Sequence, residues 1–145
     1  MKKITIKTIP HSEQRYDTCG DWWFEMDGSL EIRVSALKDE RFEELIAVHE
    51  LWEAILCRHR NISEKSVTEF DKQWLNKNAT GEPGDDSLAP YCREHCSATG
   101  VERMLASDLD VYWEEYEADL KDLQLQKNDQ AQEDQEGHKQ SDPEL

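Results

Sequence analysis

Residues 39–59 read DERFEELIAVHELWEAILCRH, and the rest of the chain is organised around this segment. Its apolar residues recur every three or four positions, which predicts an amphipathic helix. On a wheel of about 100° per residue with Phe42 at zero, His49 falls at about 340° and Glu53 at about 20°. Both polar side chains therefore point to the apolar face, and Glu50, at about 80°, lies at the edge of that face.

Three β-strands are predicted before this helix. Residues 2–9 alternate between isoleucine and lysine or threonine, which is the pattern of a half-buried strand. Two further alternating runs, 22–26 and 30–34, flank Asp27 and Gly28, and Asp-Gly between such runs is a strong hairpin signal. We predict a small antiparallel sheet of three strands.

Three more helices are predicted after it. Ser63 is suited to cap the start of the second helix, and residues 78–90 are rich in Gly, Pro and Asp, which predicts a loop. Residues 91–106 have a helical period again, and a last helix follows. The predicted fold class is therefore α+β, with the three-stranded sheet packed on about four helices.

One domain accounts for the 145 residues, because this length fits a single hydrophobic core and five tryptophans supply large apolar surfaces. We predict a globular domain over residues 1–125. Residues 126–145 contain no aromatic or β-branched residue, so they cannot offset their own ordering entropy. This segment is predicted to be a disordered acidic tail.

The formal net charge is −16, which disfavours binding to nucleic acid or to an anionic membrane. The sequence also has no signal peptide and no apolar run near the roughly 20 residues that span a bilayer. We therefore expect a cytoplasmic protein with no nucleic-acid or membrane partner. In that compartment the four cysteines are expected to be thiols or metal ligands rather than disulfides, while the oligomeric state stays open.

The candidate chemistry comes from charged residues on apolar helix faces. A carboxylate and an imidazole are costly to bury alone, so they need a hydrogen-bond network or a cation. His49 and Glu53 are spaced i, i+4 and can reach one ion, and His95 shares a face of the third helix with Glu102. We predict a metal site of His49, Glu53 and His95, with Glu102 as a fourth ligand or as the carboxylate that orients an imidazole.

Catalysis at this site would use Glu50 as the general base that holds a metal-activated water. Zinc is the predicted ion, with Mg²⁺ or Mn²⁺ as the alternative. Three residues near the predicted loop are candidates for substrate binding: Tyr91 as an oxyanion donor, and Asp85 and Asp86 as the lining of a cleft. A buried aromatic anchor and solvated turn formers are the commoner roles of such residues.

Three other uses of these residues stay open. The first is a buried His-Glu network that only fixes helix packing. The second is a structural zinc with thiolate ligands, and the third is a carboxylate site for Mg²⁺ or Mn²⁺. The residues concerned are Cys92, His95 and Cys96 with Cys57 or His59 for the zinc, and Glu50, Glu53, Glu94 and Glu102 for the carboxylate site.

The strand and helix around AVHELWEAIL, residues 47–56, resemble the core of the zincin metallopeptidases, whose active helix carries His-Glu-x-x-His. Glu53 stands where that family has its second histidine, and a carboxylate is also a zinc ligand. The resemblance implies a zincin-like core and a third ligand from a later helix. The implied residues are His49 and Glu53 as ligands, Glu50 as general base, and His95 as third ligand with Glu94 or Glu102 as fallback.

A longer pattern resembles a family of small phage and prophage proteins, a resemblance that implies no activity. It includes IPHSEQRYDTCGDWWF, HELWEAILCRHRNIS, EPGDDSLAPYCREH and ATGVERMLA. The first functional hypothesis is a phage-type zincin-like metallohydrolase of the host cytoplasm, in which an edge strand near Ile32 aligns an extended peptide. The alternative is a non-enzymatic acidic accessory protein that binds a host protein, with the His-Glu cluster purely structural.

Overall fold

A three-stranded sheet precedes four helices along the chain. The computed structural model describes residues 3–77 and 80–123, so the predicted tail of residues 126–145 lies outside the described residues. The predicted α+β class, with three strands and four helices, is confirmed. The elements are β1 (Ile4–Ile9), β2 (Gly20–Phe24), β3 (Leu30–Ser35), α1 (Glu40–His59), α2 (Glu64–Leu75), α3 (Cys92–Asp108) and α4 (113–123), with single 3-10 turns at His11–Glu13 and Pro83–Asp85.

The sheet has the strand order β1-β3-β2. Strands β2 and β3 pair antiparallel, as predicted, and Gly28 in the turn between them has a φ of 84°, which glycine adopts without steric cost. Strand β1 pairs with β3 in parallel, with Ile6 opposite Ile32. The sheet is therefore mixed, where the sequence predicted antiparallel pairing throughout.

The mixed pairing follows from the segment between β1 and β2, which is hydrogen-bonded to the end of β3. His11 Nδ1 lies 2.9 Å from Ser35 Oγ, and Gln14 Nε2 donates to the same oxygen at 3.1 Å. These bonds carry the chain across the end of β3, so β2 enters on its far side. Ile32 consequently lies on the central strand, and the prediction of an edge strand there is wrong.

Helix α1 begins where Asp39 caps it, because the Asp39 side chain accepts a hydrogen bond from the Arg41 backbone N–H at 2.9 Å. The predicted range of 39–59 agrees with this cap and with the last helical residue, His59. One face of α1 packs on β2 and β3, and another packs on α3. Helix α1 is therefore in contact with both the sheet and α3, and its buried residues lie between them.

The other helices place a second polar face against α1. Ser63 caps α2 as predicted, accepting from the Ser66 backbone N–H at 3.2 Å. Helix α3 follows Tyr91 and buries Glu94, His95 and Glu102. Within residues 3–77 and 80–123, no helix is both long and apolar enough to cross a membrane.

Candidate metal centre

Three potential ligand atoms from α1 and α3 converge on one point. His49 Nε2 lies 3.1 Å from His95 Nδ1, which lies 3.2 Å from Glu53 Oε2. The remaining distance between these three atoms, from His49 Nε2 to Glu53 Oε2, is 3.5 Å. Zinc bonds of about 2.0–2.1 Å in tetrahedral geometry separate the ligand atoms by about 3.3 Å. We call His49, Glu53 and His95 the inner cluster, and its spacing fits a single ion.

The inner cluster is buried, with exposed fractions of 7% for His49, 4% for Glu53 and 5% for His95. The i, i+4 spacing on α1 puts the first two side chains on one face, and α3 presents His95 to them. Trp22 Nε1 of β2 donates to Glu53 Oε1 at 2.9 Å, which leaves Oε2 for the cluster. The sheet thus fixes which carboxylate oxygen faces the two imidazoles.

Glu102 orients His49 from outside the cluster. Its Oε2 lies 2.9 Å from His49 Nδ1, and its Oε1 accepts a hydrogen bond from the Tyr116 hydroxyl. An ionised carboxylate only accepts, so the His49 proton sits on Nδ1 and Nε2 presents its lone pair to the cluster. Of the two roles predicted for Glu102, the geometry matches that of the orienting carboxylate.

The outer nitrogen of His95 faces the turn of residues 82–85. His95 Nε2 lies 3.2 Å from Glu82 Oε2 and 3.4 Å from Asp85 Oδ1. Gly84 packs against the ring so closely that a Cβ there would overlap with its atoms. Two acidic oxygens on this side favour a proton on Nε2, which leaves the lone pair of Nδ1 facing the cluster.

When both imidazoles are neutral and in these tautomers, three acceptor atoms face one another without a donor. Burial lowers the pKa of His95, but Glu53 and Glu82 outweigh it and raise that pKa to about 10. Burial raises the pKa of Glu53, but hydrogen bonds from His49 and His95 in their protonated forms outweigh it and lower that pKa to about 2. Burial lowers the pKa of His49, but Glu102 and Glu53 outweigh it and raise that pKa well above its ordinary value. The cluster therefore attracts positive charge, either as protons or as a cation.

Glu50 lies beside the cluster rather than in it. It is only partly exposed, and its side chain lies so close to Gly20 of β2 that a Cβ at residue 20 would overlap with it. Within the described residues its carboxyl has no hydrogen bond to protein. Burial among protein atoms, followed by the charge of Glu53, raises the pKa of Glu50 well above its ordinary value. A raised pKa and free oxygens suit a proton acceptor.

The three candidates for substrate binding occupy different places. Asp85 lies on the outer side of His95, with its Oδ1 3.4 Å from Nε2, and not in the inner cluster. Tyr91 is buried behind it, with its ring edge-on to His95 at 6.1 Å and its hydroxyl donating to Asp71. Asp86 stabilises its turn, since its Oδ1 accepts from the Leu88 backbone N–H at 2.9 Å.

Neither of the other predicted metal sites is formed by the described residues. The two groups positioned to hold a metal ion are the inner cluster and Glu82, Asp85 and His95. Neither contains a cysteine, and all four thiols are free. Glu94, a member of the predicted carboxylate site and the fallback third ligand, instead pairs with Arg60 at the end of α1.

Several residues of the site were not predicted from the sequence. They reach it from β2, α4 and the 82–85 turn, and helical periodicity does not indicate which distant segment folds against a given face. The one available signal was the concentration of Gly, Pro and Asp in residues 81–90. The unpredicted residues are Gly20, Trp22, Glu82, Gly84 and Tyr116.

Comparison with protein-family models, curated proteins and solved structures gives no match to this chain. The resemblances to zincins and to phage proteins therefore stay predictions.

Proposed function

We propose that the protein is a metal-dependent hydrolase with a zincin-like site, a phage-type metallopeptidase. The observation that carries the proposal is the convergence of His49 Nε2, His95 Nδ1 and Glu53 Oε2 between α1 and α3. Two imidazoles and one carboxylate form a ligand set of catalytic zinc sites, which keep a fourth position for water or substrate. Imidazole nitrogens favour zinc over the harder ions Mg²⁺ and Mn²⁺.

The residues around the inner cluster hold its atoms in place for that role. Glu102 and the 82–85 turn orient the two imidazoles, and Trp22 directs one Glu53 oxygen inward. Such outer partners raise ligand basicity and fix the tautomers. A divalent ion held there would polarise a water molecule and lower its pKa.

Glu50 is the general base of the proposed reaction. It follows His49 on α1 and its side chain packs on Gly20 of β2, and its oxygens make no hydrogen bond to other protein groups in the described residues. In the proposed reaction Glu50 accepts the proton of the attacking water and then delivers it to the leaving amine. Its raised pKa brings this carboxyl toward the range in which both transfers are efficient.

Strand β2 is the proposed guide for an extended peptide. It is an edge strand, and Gly20 at its start lies under the Glu50 side chain. Within the described ranges, no backbone hydrogen bond joins residues 21–23 to any element other than β3. An extended peptide can add to such an edge, which would run its backbone past Glu50. The four free thiols support the reducing cytoplasm of the host cell as the place of action.

The experiment is a cleavage assay on a mixed peptide library with zinc-loaded protein. Glu50→Gln should lower the cleavage rate by about 10²–10⁴-fold with the metal content unchanged, because only the proton acceptor is lost. Glu44→Gln is the matched control, since Glu44 lies exposed on the same helix and carries the same charge. Cleavage that persists in Glu50→Gln contradicts the assignment of the base. Absence of both metal and cleavage in the wild type would leave the acidic binding protein as the working hypothesis.

A further inference from the structure

The outer side of His95 carries a second set of potential ligands. Glu82 and Asp85 are exposed, with 54% and 64% of their side chains accessible, and each places a carboxylate oxygen within 3.4 Å of His95 Nε2. Exposed acidic residues are common in proteins and do not by themselves indicate a metal site. The important atom is the nitrogen between them.

His95 Nε2 is a buried polar atom without a hydrogen-bond partner. The residue is 5% exposed, and the nitrogen faces the two carboxylates although it is not aligned for a hydrogen bond with either. Buried polar groups are normally paired, so an orphaned nitrogen among acidic oxygens calls for a partner. Gly84 packs directly against the imidazole, so the turn that carries Glu82 and Asp85 is held in contact with His95.

In a neutral His95, only one of the two ring nitrogens, Nδ1 or Nε2, carries a proton. With the proton on Nε2, the Nδ1 lone pair faces the inner cluster. With the proton on Nδ1, that nitrogen donates to Glu53 Oε2 at 3.2 Å, and the lone pair of Nε2 faces Glu82 and Asp85. A neutral His95 therefore serves one ion at a time, on one side or the other.

We propose that Glu82, Asp85 and His95 Nε2 form a second divalent-cation site at the surface, which captures an ion before it reaches the inner cluster. The inner cluster is buried and needs a path to solvent, and His95 is the one residue that belongs to both groups in the described structure. Transfer exchanges the tautomer: the ring loses its Nδ1 proton and takes one on Nε2, so no net proton is gained or lost. The capture role rests on the proposed function, whereas the existence of the surface site does not.

The first test is zinc titration by calorimetry on variants that lack the inner cluster. His49→Ala should bind zinc at least ~100-fold more weakly than the wild type but still measurably, through the surface site. His49→Ala with Asp85→Asn and Glu82→Gln should lose this residual binding. His49→Ala with Asp86→Asn is the matched control, because Asp86 lies in the same turn but outside the site. This double variant should keep the residual zinc binding.

The second test uses the intact inner cluster and measures rates. In stopped-flow mixing with Co²⁺, Asp85→Asn should lower the association rate constant at least ~3-fold relative to Asp86→Asn, because only Asp85 takes part in capture. If Asp85 merely orients the ring, the change appears in the dissociation rate constant instead.

The outcomes separate this proposal from the previous one. Zinc bound by the wild type but not at all by a folded His49→Ala overturns the surface site and leaves the hydrolase proposal standing. Equal association rate constants in Asp85→Asn and Asp86→Asn overturn the capture role. A wild type that binds no zinc overturns both proposals.

Discussion

Two buried carboxylates illustrate opposite ways of satisfying a polar group. Asp71 on α2 accepts hydrogen bonds from the hydroxyls of Tyr16, at 2.9 Å, and of Tyr91, so neutral donors surround it. Glu53 faces two imidazole nitrogens that its neighbours turn into acceptors. Both side chains are buried, at 7% and 4% exposed, so the shortage of neutral donors at Glu53 Oε2 is what distinguishes the inner cluster.

The pKa values of these carboxyls follow the same division. Burial raises the pKa of Asp71 to about 6, and the two tyrosine hydroxyls only partly oppose this. The pKa of Glu53 falls to about 2, although burial opposes this shift, because the site contains groups that become positive. Asp71 can thus become neutral by taking a proton, whereas Glu53 is built to remain charged beside a cation.

The largest expected contrast is in zinc affinity. Glu53→Gln should weaken zinc binding at least ~100-fold, because it removes a ligand that no other oxygen replaces. Asp71→Asn should leave the affinity unchanged within about twofold. Isothermal titration of both variants checks this, and similar losses in the two would remove the distinction between the clusters.

A smaller effect is expected from the residues that orient the imidazole. Glu102→Gln should lower zinc affinity by about 10–100-fold, since His49 Nδ1 then loses the charged acceptor that fixes its tautomer and raises its basicity. Tyr116→Phe should lower it less, because Glu102 keeps its bond to His49. Tyr16→Phe, which removes a hydroxyl from Asp71, is the control and should not change it. An unchanged affinity in Glu102→Gln would mean that Glu102 is only a packing residue.

The affinity for zinc should rise with pH. Between pH 7 and 9 it should increase by about tenfold per pH unit for each proton that zinc displaces. His95, with a pKa of about 10 in the metal-free fold, is protonated in this range, and each proton must leave before its nitrogen binds zinc. In the metal-free protein the same shift stabilises the fold below pH 6.5, and this contribution is lost as the pH rises through about 10. Titrations in buffers of different ionisation enthalpy measure the protons released, and a value of zero would contradict the protonation of His95 in the metal-free protein.

The smallest effect concerns the turn that covers His95. Gly84→Ala should destabilise the fold by about 1–3 kcal/mol, because the new methyl group overlaps with the imidazole. Gly100→Ala on α3 has open space around it and should stabilise the helix by about 0.5–1 kcal/mol. Denaturant unfolding of the two variants gives both numbers. Equal changes in the free energy of unfolding would show that the 82–85 turn is not seated on the ring.

Local patterns sufficed to predict the elements and one face of the site. The period of residues 39–59 places His49 and Glu53 on the buried face of α1, and the same argument places His95 with Glu102 on α3. The Asp-Gly turn and the Ser63 cap are likewise local signals, and each lies where it was predicted. These predictions succeed because residues three to four apart on a helix share a face whatever surrounds it.

Long-range contacts account for what the sequence did not reveal. The parallel pairing of β1 depends on hydrogen bonds that His11 and Gln14 make to Ser35, far along the chain. The choice between ligand and orienting carboxylate for Glu102 depends on Tyr116 of α4. Trp22 is directed at Glu53 only because β2 packs against α1. None of these pairings leaves a periodic trace in the sequence.

The most direct test of the metal site is the metal content of protein purified without a histidine tag and supplied with zinc, measured by elemental analysis beside a His49→Ala control. The inner cluster predicts about one tightly held zinc per chain in the wild type and its loss from His49→Ala after dialysis. A wild type that retains no zinc, or a His49→Ala variant that retains as much, would contradict the assignment of His49, Glu53 and His95 as a metal site.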